Sequence, residues 1–387
     1  MNTIQRGIIA LMKSAVTRTP CSLPEDFDLE QAYPLIRKHH ISPMAYDGAC
    51  RCGFSRQMPI MQQLFMDYRS SLLKSEGQMR AVQKVMAAFD ANGIDYMPLK
   101  GCKLKQLYPA QELRIMGDAD ILIRTEQYDK ILPIMQSLGF REGQESDHEL
   151  VWRNQELHLE LHKRLIPSYN KDFYAYFGEG WQLAKCQSGT RYAMTQEDEM
   201  VYLFTHFAKH YRDGGIGYRY VTDLWVYRCA HPQMDEAYIR RALEQLQLAE
   251  FYDNVLRLIT VWFADAPTDE KMDYMTDFIF ASGSWGAVQS RVVSSAVKKK
   301  KNTAGFAKLQ YALDALFPSV TVLRSKYTVL KKCPWLLPVV WLVRPFYKVI
   351  FEAKTLKWQK KNLDALTKDE IRQRRKMLNY VGLDYNF

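Results

Sequence analysis

Residues Tyr96–Arg124 read YMPLKGCKLKQLYPAQELRIMGDADILIR. A short apolar run ends at Lys100-Gly101, and a second, Ile121-Leu122-Ile123, follows aspartates at positions 118 and 120. Side chains alternate faces along a strand, so Asp118 and Asp120 project to one side while Ala119 and Ile121 project to the other. Carboxylates held together in an apolar frame repel, and sharing a proton or binding a cation relieves the repulsion. Mg²⁺ suits such a pair, because it takes hard oxygen ligands, commonly one or two carboxylates plus substrate phosphates. Taken alone, an Asp-x-Asp also reads as two solvated residues at a loop end.

A second acidic strand strengthens the metal reading. The stretch His148–His162, HELVWRNQELHLELH, predicts a hairpin turning near Asn154-Gln155. In its second arm Leu157, Leu159 and Leu161 alternate with His158, Glu160 and His162, so one face is core and the other polar. Beside the Asp118–Asp120 strand, Glu160 would complete a three-carboxylate site for two divalent ions. Such ions activate an attacking oxygen and neutralise charge on a transferring phosphoryl or nucleotidyl group. A solvent-facing polar edge is the alternative.

The strings Leu99-Lys100-Gly101, Leu107-Tyr108-Pro109 and Arg114-x-Met116-Gly117-Asp118-x-Asp120 together resemble the nucleotidyltransferase superfamily with the DNA polymerase beta-type fold. More narrowly, they are similar to a family of largely uncharacterised bacterial nucleotidyltransferase-like proteins with this layout. The resemblance implies a Mg²⁺- or Mn²⁺-dependent transfer of a nucleoside monophosphate from an NTP, with ATP the first expectation, to a hydroxyl of an unknown acceptor. It implies metal-binding and catalytic roles for Asp118, Asp120 and Glu160, and nucleotide contacts for Lys100, Gly101, Cys102 and Arg114. His206, His210, Arg219 and Asp223 match the family's helical H-x-x-x-H and R-x-x-x-D features. The superfamily's usual Gly-Ser or Gly-Gly turn is here Gly101-Cys102, which replaces a phosphate-bonding hydroxyl with a weak thiol donor. Phosphate contact would then fall to backbone N–H groups and to Lys100, Lys103 or Arg114. This departure leaves open a non-catalytic relative serving as a membrane-associated accessory in surface-polysaccharide assembly. A toxin-type enzyme acting on protein or tRNA is also open.

Composition bounds the rest. With 387 residues, 47% of them hydrophobic, the chain is long enough for a sizeable core and two or three units. The amino terminus reads as an amphipathic helix without the features of a secretory signal, and seven scattered cysteines match no zinc or redox template. A cytoplasmic protein with reduced thiols is the expectation, with peripheral attachment at the inner membrane as a variant. Between residues 291 and 361 sixteen Lys and Arg face only Asp314 and Glu352, so the rest of this +10 chain is net acidic. Within that region Cys333–Val343, CPWLLPVVWLV, is far shorter than the ~20 residues needed to cross a bilayer. It suits an interfacial anchor on an anionic leaflet, a buried helix hairpin with snorkelling lysines, or, with least support, a nucleic-acid groove.

The expected class is α+β: a nucleotidyltransferase-type mixed sheet embedded between helical regions. The divisions are 1–90 helical, 91–188 the sheet core, 189–290 helical, and 291–387 a basic, aromatic helical region. Residues 39–53 read as a loop-rich break, 70–93 as a long helix stopped by Gly93, and 125–139 as a helix capped by Thr125 and closed by Gly139. Residues 234–263 read as continuously helical. His206 and His210 share a helix face, a spacing compatible with zinc, while Arg219 and Asp223 most simply pair one turn apart.

Overall fold

The computed structural model describes residues 1–283, 329–351 and 368–383, with single positions between 317 and 327. Four helices lead: α1 (Thr3–Thr17), α2 (Leu29–Lys38), α3 (Ser42–Arg51) and α4 (Pro59–Ala91). The strands are β1 (Tyr96–Leu99), β2 (Ala119–Ile123), β3 (Arg141–Glu145), β4 (Glu149–Arg153), β5 (His158–His162), β6 (Lys185–Ser188) and β7 (Arg191–Ala193). Between them lie α5 (Gly101–Leu104), α6 (Tyr128–Ser137) and α7 (Lys171–Phe177). After the sheet come α8 (Gln196–Asp213), α9 (Tyr218–Ala230), α10 (Glu236–Gln245), α11 (Ala249–Phe263) and α12 (Glu270–Ser282). The arrangement is α+β, with helices on both sides of a mixed sheet.

The seven strands run in the order β3-β4-β5-β2-β1-β7-β6. β2 lies at the centre, antiparallel to β1 and parallel to β5, with Asp120 opposite Leu99 on one side and Glu160 on the other. The period-two pattern sorts residues between two cores. Ala119, Ile121 and Ile123 of β2 and Leu159 and Leu161 of β5 pack against Val82, Val85 and Phe89 of α4 and Ile131 and Met135 of α6. Leu122 of β2, with Met97 and Leu99 of β1, joins a larger cluster that holds α1–α3 together with α8–α12. The polar face of β2 and β5 is therefore turned toward that helical cluster. Asn154 supports the β4–β5 turn as expected, its Oδ1 accepting from the N–H groups of Glu156 and Leu157 at 3.0 and 2.8 Å.

Several local expectations are corrected. Residues 42–51 form helix α3 rather than a break, because Pro43 sits in the first turn where its missing N–H has no helical partner to lose. α4 begins at Pro59, well before the amphipathic stretch, and ends as expected before Gly93, whose φ is +64°. Thr125 opens a short 3₁₀ turn and does not cap α6; the N-cap position is Gln127. Residues 234–263 divide into α10 and α11 around Gln247 at φ +55°. β3 and the β6–β7 hairpin lack a readable alternation, since β6 is exposed along its length and β3 has no buried position.

The C-terminal helix Lys368–Tyr380 returns to the main body. Arg374 Nη2 donates to the Tyr211 carbonyl at 2.8 Å, Asn254 Nδ2 donates to that of Val381 at 3.2 Å, and Leu378, Val381 and Leu383 enter the helical core. No described helix is long and apolar enough to cross a membrane. The lysine run Lys298–Lys301 lies outside the described residues.

Candidate active site

The polar faces of β2 and β5 and the facing sides of α8 and α9 enclose a cavity of about 430 Å³. Asp118, Asp120, Glu160 and His162 line its sheet wall, and His206, Lys209, His210, Arg219 and Tyr220 its helical wall. Ligand atoms of Asp120, Glu160 and His162 lie within 4.8 Å of one another, a set compatible with a divalent metal. Asp118 lines the same cavity just before β2, outside that tightest cluster. The pairing register accounts for the convergence, because Asp120 stands directly beside Glu160 in parallel strands.

Asp120 is buried and accepts two bonds at Oδ1, from His162 Nε2 at 2.8 Å and from Lys100 Nζ at 3.2 Å. Burial alone would raise its carboxyl, but Lys100 and His162 outweigh burial and hold Asp120 well below the ordinary carboxylate range. Burial likewise opposes charge on His162, yet Asp120 and Glu160 push its imidazole up to about 9. Asp118 goes the other way: burial first, then the charges of Asp120 and Glu160, raise it to about 6. The paired aspartates are thus pushed apart, one firmly ionised and one ready to hold a proton near neutrality. His162 Nδ1 is buried without a partner.

The turn leading into α5 is strained. Lys100 adopts φ 37°, ψ −107°, a region that L residues rarely occupy, and this conformation aims its ammonium back at Asp120. Gly101 follows at a place where a Cβ would stand 3.1 Å from Met116 Sδ and 3.3 Å from Arg114 Nη1, so any side chain there would crowd both. Cys102 is buried in the sheet core away from the cavity lining, and burial pushes its thiol up to about 12. α5 covers only four residues before becoming a 3₁₀ turn.

The loop entering β2 is pinned by three carbonyls in succession. Lys105 Nζ donates to Arg114 O at 2.8 Å, Arg219 Nη1 to Ile115 O at 2.8 Å, and Gln78 Nε2 to Met116 O at 3.0 Å. Burial, followed by Arg114, brings the Lys105 ammonium down to about 7. Asp223 corrects an expectation. Instead of a simple pair with Arg219, it accepts a bidentate bond from Arg114, Nε at 2.7 Å and Nη2 at 2.9 Å, and a third from Tyr108 OH at 2.7 Å. The L-Y-P, R-x-M-G and R-x-x-x-D strings thus meet in one buried network that holds the Asp loop against α9.

His206 and His210 do share a face and bring their Nε2 atoms to 3.1 Å, with the His206 ring stacked on Tyr220. Among the described residues no third His, Cys, Asp or Glu completes a metal set with them. Burial, then Lys100 and His210, keep His206 well below the ordinary histidine range. The contributions of Lys209, Tyr220, Lys105 and Gln78 were not legible in sequence, since none is a defining position of a motif and each depends on how the fold turns its side chain.

A mixed sheet whose central parallel pair presents convergent acids beneath a strand-to-helix glycine turn defines a nucleotidyltransferase-like protein. The chain belongs to the family described as uncharacterised nucleotidyltransferases, whose model matches residues 25–264. No curated protein and no solved structure matches it. The family implies an NTP substrate and transferase chemistry, and the matched span contains the whole sheet and the cavity.

Proposed function

We propose that this protein transfers a nucleoside monophosphate from an NTP, with ATP the first donor to test, to a hydroxyl of an acceptor molecule. The observation that carries the reading is the meeting of Asp120, Glu160 and His162, with Asp118 beside them, on one sheet face in a member of the uncharacterised nucleotidyltransferase family. In the reaction, a bond forms between the acceptor oxygen and the α-phosphorus, the bond to the β-phosphate bridging oxygen breaks, and pyrophosphate leaves. Glu160 is assigned the hydroxyl proton. Lys100 is held beside Asp120 and supplies positive charge where the triphosphate would approach, and Gly101 leaves room for that approach. Asp118, Asp120 and Glu160 would hold the divalent ion, which supplies charge neutralisation at the phosphates and lowers the pKa of the attacking oxygen. The mixed carboxylate–imidazole cluster of Asp120, Glu160 and His162 is compatible with a divalent cation, His162 joining as a ligand only once it gives up its proton.

Calorimetric titration of each NTP with Mg²⁺ or Mn²⁺ tests the site. Wild type is expected to bind one NTP in a metal-dependent way, and a folded Asp118→Asn, Asp120→Asn variant is expected to lose that binding. Binding that is undiminished in the variant would refute the assignment. A non-catalytic relative is the second reading, favoured by the burial of Cys102 where active superfamily members place a phosphate-facing turn residue. Failure of the wild type to bind any NTP would decide for it.

A further inference from the structure

Arg374, Leu378 and Val381 of the C-terminal segment dock on α8 and α11. Before that segment, residues Val329–Lys332 form one helical turn, Pro334–Leu336 a 3₁₀ turn, and Leu337–Phe351 a helix. Val340 is buried with Leu323 and Leu330, and Leu336, Leu337 and Trp341 pack partly against this small cluster, which gives the helix an inner face. Its other face is also apolar yet open to solvent. Trp335 is 75% exposed, Val339 53%, Leu342 72% and Val343 57%. Val339, Leu342 and Val343 follow the i, i+3, i+4 spacing that places side chains on one side of a helix, and Trp335 stands in the 3₁₀ turn just before it.

The charge around this face has one sign. From Val329 to Phe351 the sequence contains Lys331, Lys332, Arg344 and Lys348 and no acidic residue. A surface helix normally turns polar side chains outward, and a contiguous exposed apolar face marks an interaction site. We propose that the Trp335–Val339–Leu342–Val343 face docks on an anionic lipid surface, with the helix lying in the interface plane. A second copy of the chain is disfavoured as the occupant, because pairing two such faces would bring like charges together. A lipid leaflet offers apolar depth for the tryptophan and aliphatic side chains together with anionic phosphate to meet a segment of purely basic charge. Fifteen residues of helix give about 22 Å at 1.5 Å per residue, less than a bilayer core, so the helix lies on the membrane and does not span it. The inference is independent of nucleotidyl transfer, since none of these residues lines the cavity.

The test is cosedimentation of the full chain with vesicles of phosphatidylcholine alone and of equal parts phosphatidylcholine and phosphatidylglycerol. Wild type is expected to partition onto the anionic vesicles, to ignore the neutral ones, and to dissociate as salt rises. The Trp335→Ser, Leu342→Ser variant changes two solvent-exposed side chains. It should keep the thermal midpoint and bind the anionic vesicles at least about tenfold more weakly, by the scaling of interfacial binding with buried apolar area. The proposal is overturned if wild type does not bind anionic vesicles or if the double variant binds as well as wild type. A wild-type dimer that the double variant abolishes, without lipid binding, would assign the face to a second copy.

Discussion

Replacing Asp223 with Asn tests the buried network that joins the Asp118–Asp120 loop to the helical wall. The perturbation is nearly isosteric, but it removes the charge facing Arg114, whose side chain is 5% exposed against 7% for Asp223. Three bonds converge on this carboxylate: two from the guanidinium at 2.7 and 2.9 Å and one from Tyr108 OH at 2.7 Å. Bonds to charged groups contribute about 1.5–3 kcal/mol each, and removing one member of a buried pair costs about 3–5 kcal/mol because the other is left as an uncompensated charge. Asn keeps one carbonyl acceptor but turns an NH₂ toward the guanidinium, so a loss of about 3–4 kcal/mol is expected, near the lower half of that range. Against a total stability of about 5–15 kcal/mol this is a large fraction. Urea unfolding followed by circular dichroism measures it. A cycle with Arg114→Met and the double variant isolates the pair, and a coupling of about 2 kcal/mol or more is expected. A single-variant loss below about 1 kcal/mol, the level of an exposed ion pair, would refute the reasoning, as would a coupling near zero.

Acid should destabilise the fold through His39, which is 1% exposed, whose Nε2–H donates to Phe280 O at 3.1 Å, and whose pKa burial lowers to about 4. The unfolded value is near 6.5, so this contribution is complete above pH 6.5 and is lost as pH falls toward 4, with about 2 kcal/mol gone by pH 5. Urea midpoints of wild type and His39→Gln should therefore diverge at pH 7 and converge near pH 5, and parallel curves would reject it. Gly101→Ala should cost about 1–2 kcal/mol by crowding Met116 and Arg114 and should weaken metal-dependent NTP binding more than it weakens the fold. Leu159→Ala, at a fully buried core position of β5, should cost about 2–5 kcal/mol in urea unfolding. A value near zero there would mean that the sheet face is assigned wrongly.

The sequence alone determined which acidic and basic residues are candidates for the site and which face of each strand they occupy. Alternation is local: a period of two puts Asp120 of β2, with Asp118 just before it, on one side, and Glu160 and His162 on one side of β5, wherever those strands come to lie. It did not determine that β2 and β5 are parallel neighbours with Asp120 beside Glu160. That pairing joins residues 40 apart through hydrogen bonds that leave no trace in either segment's composition. The loop-rich break expected at 39–53 was misread for a related reason: small residues there form a helix that packs on α1, and intrinsic propensity does not report a distant surface. Only the tertiary structure decided that Asp223 belongs to Arg114, that Cys102 faces the core, and that Lys100 and His162 both bond Asp120. Each outcome depends on which charges share a desolvated volume. Burial makes an unpaired charge expensive, so partners are selected by enclosure in three dimensions and not by spacing along the chain.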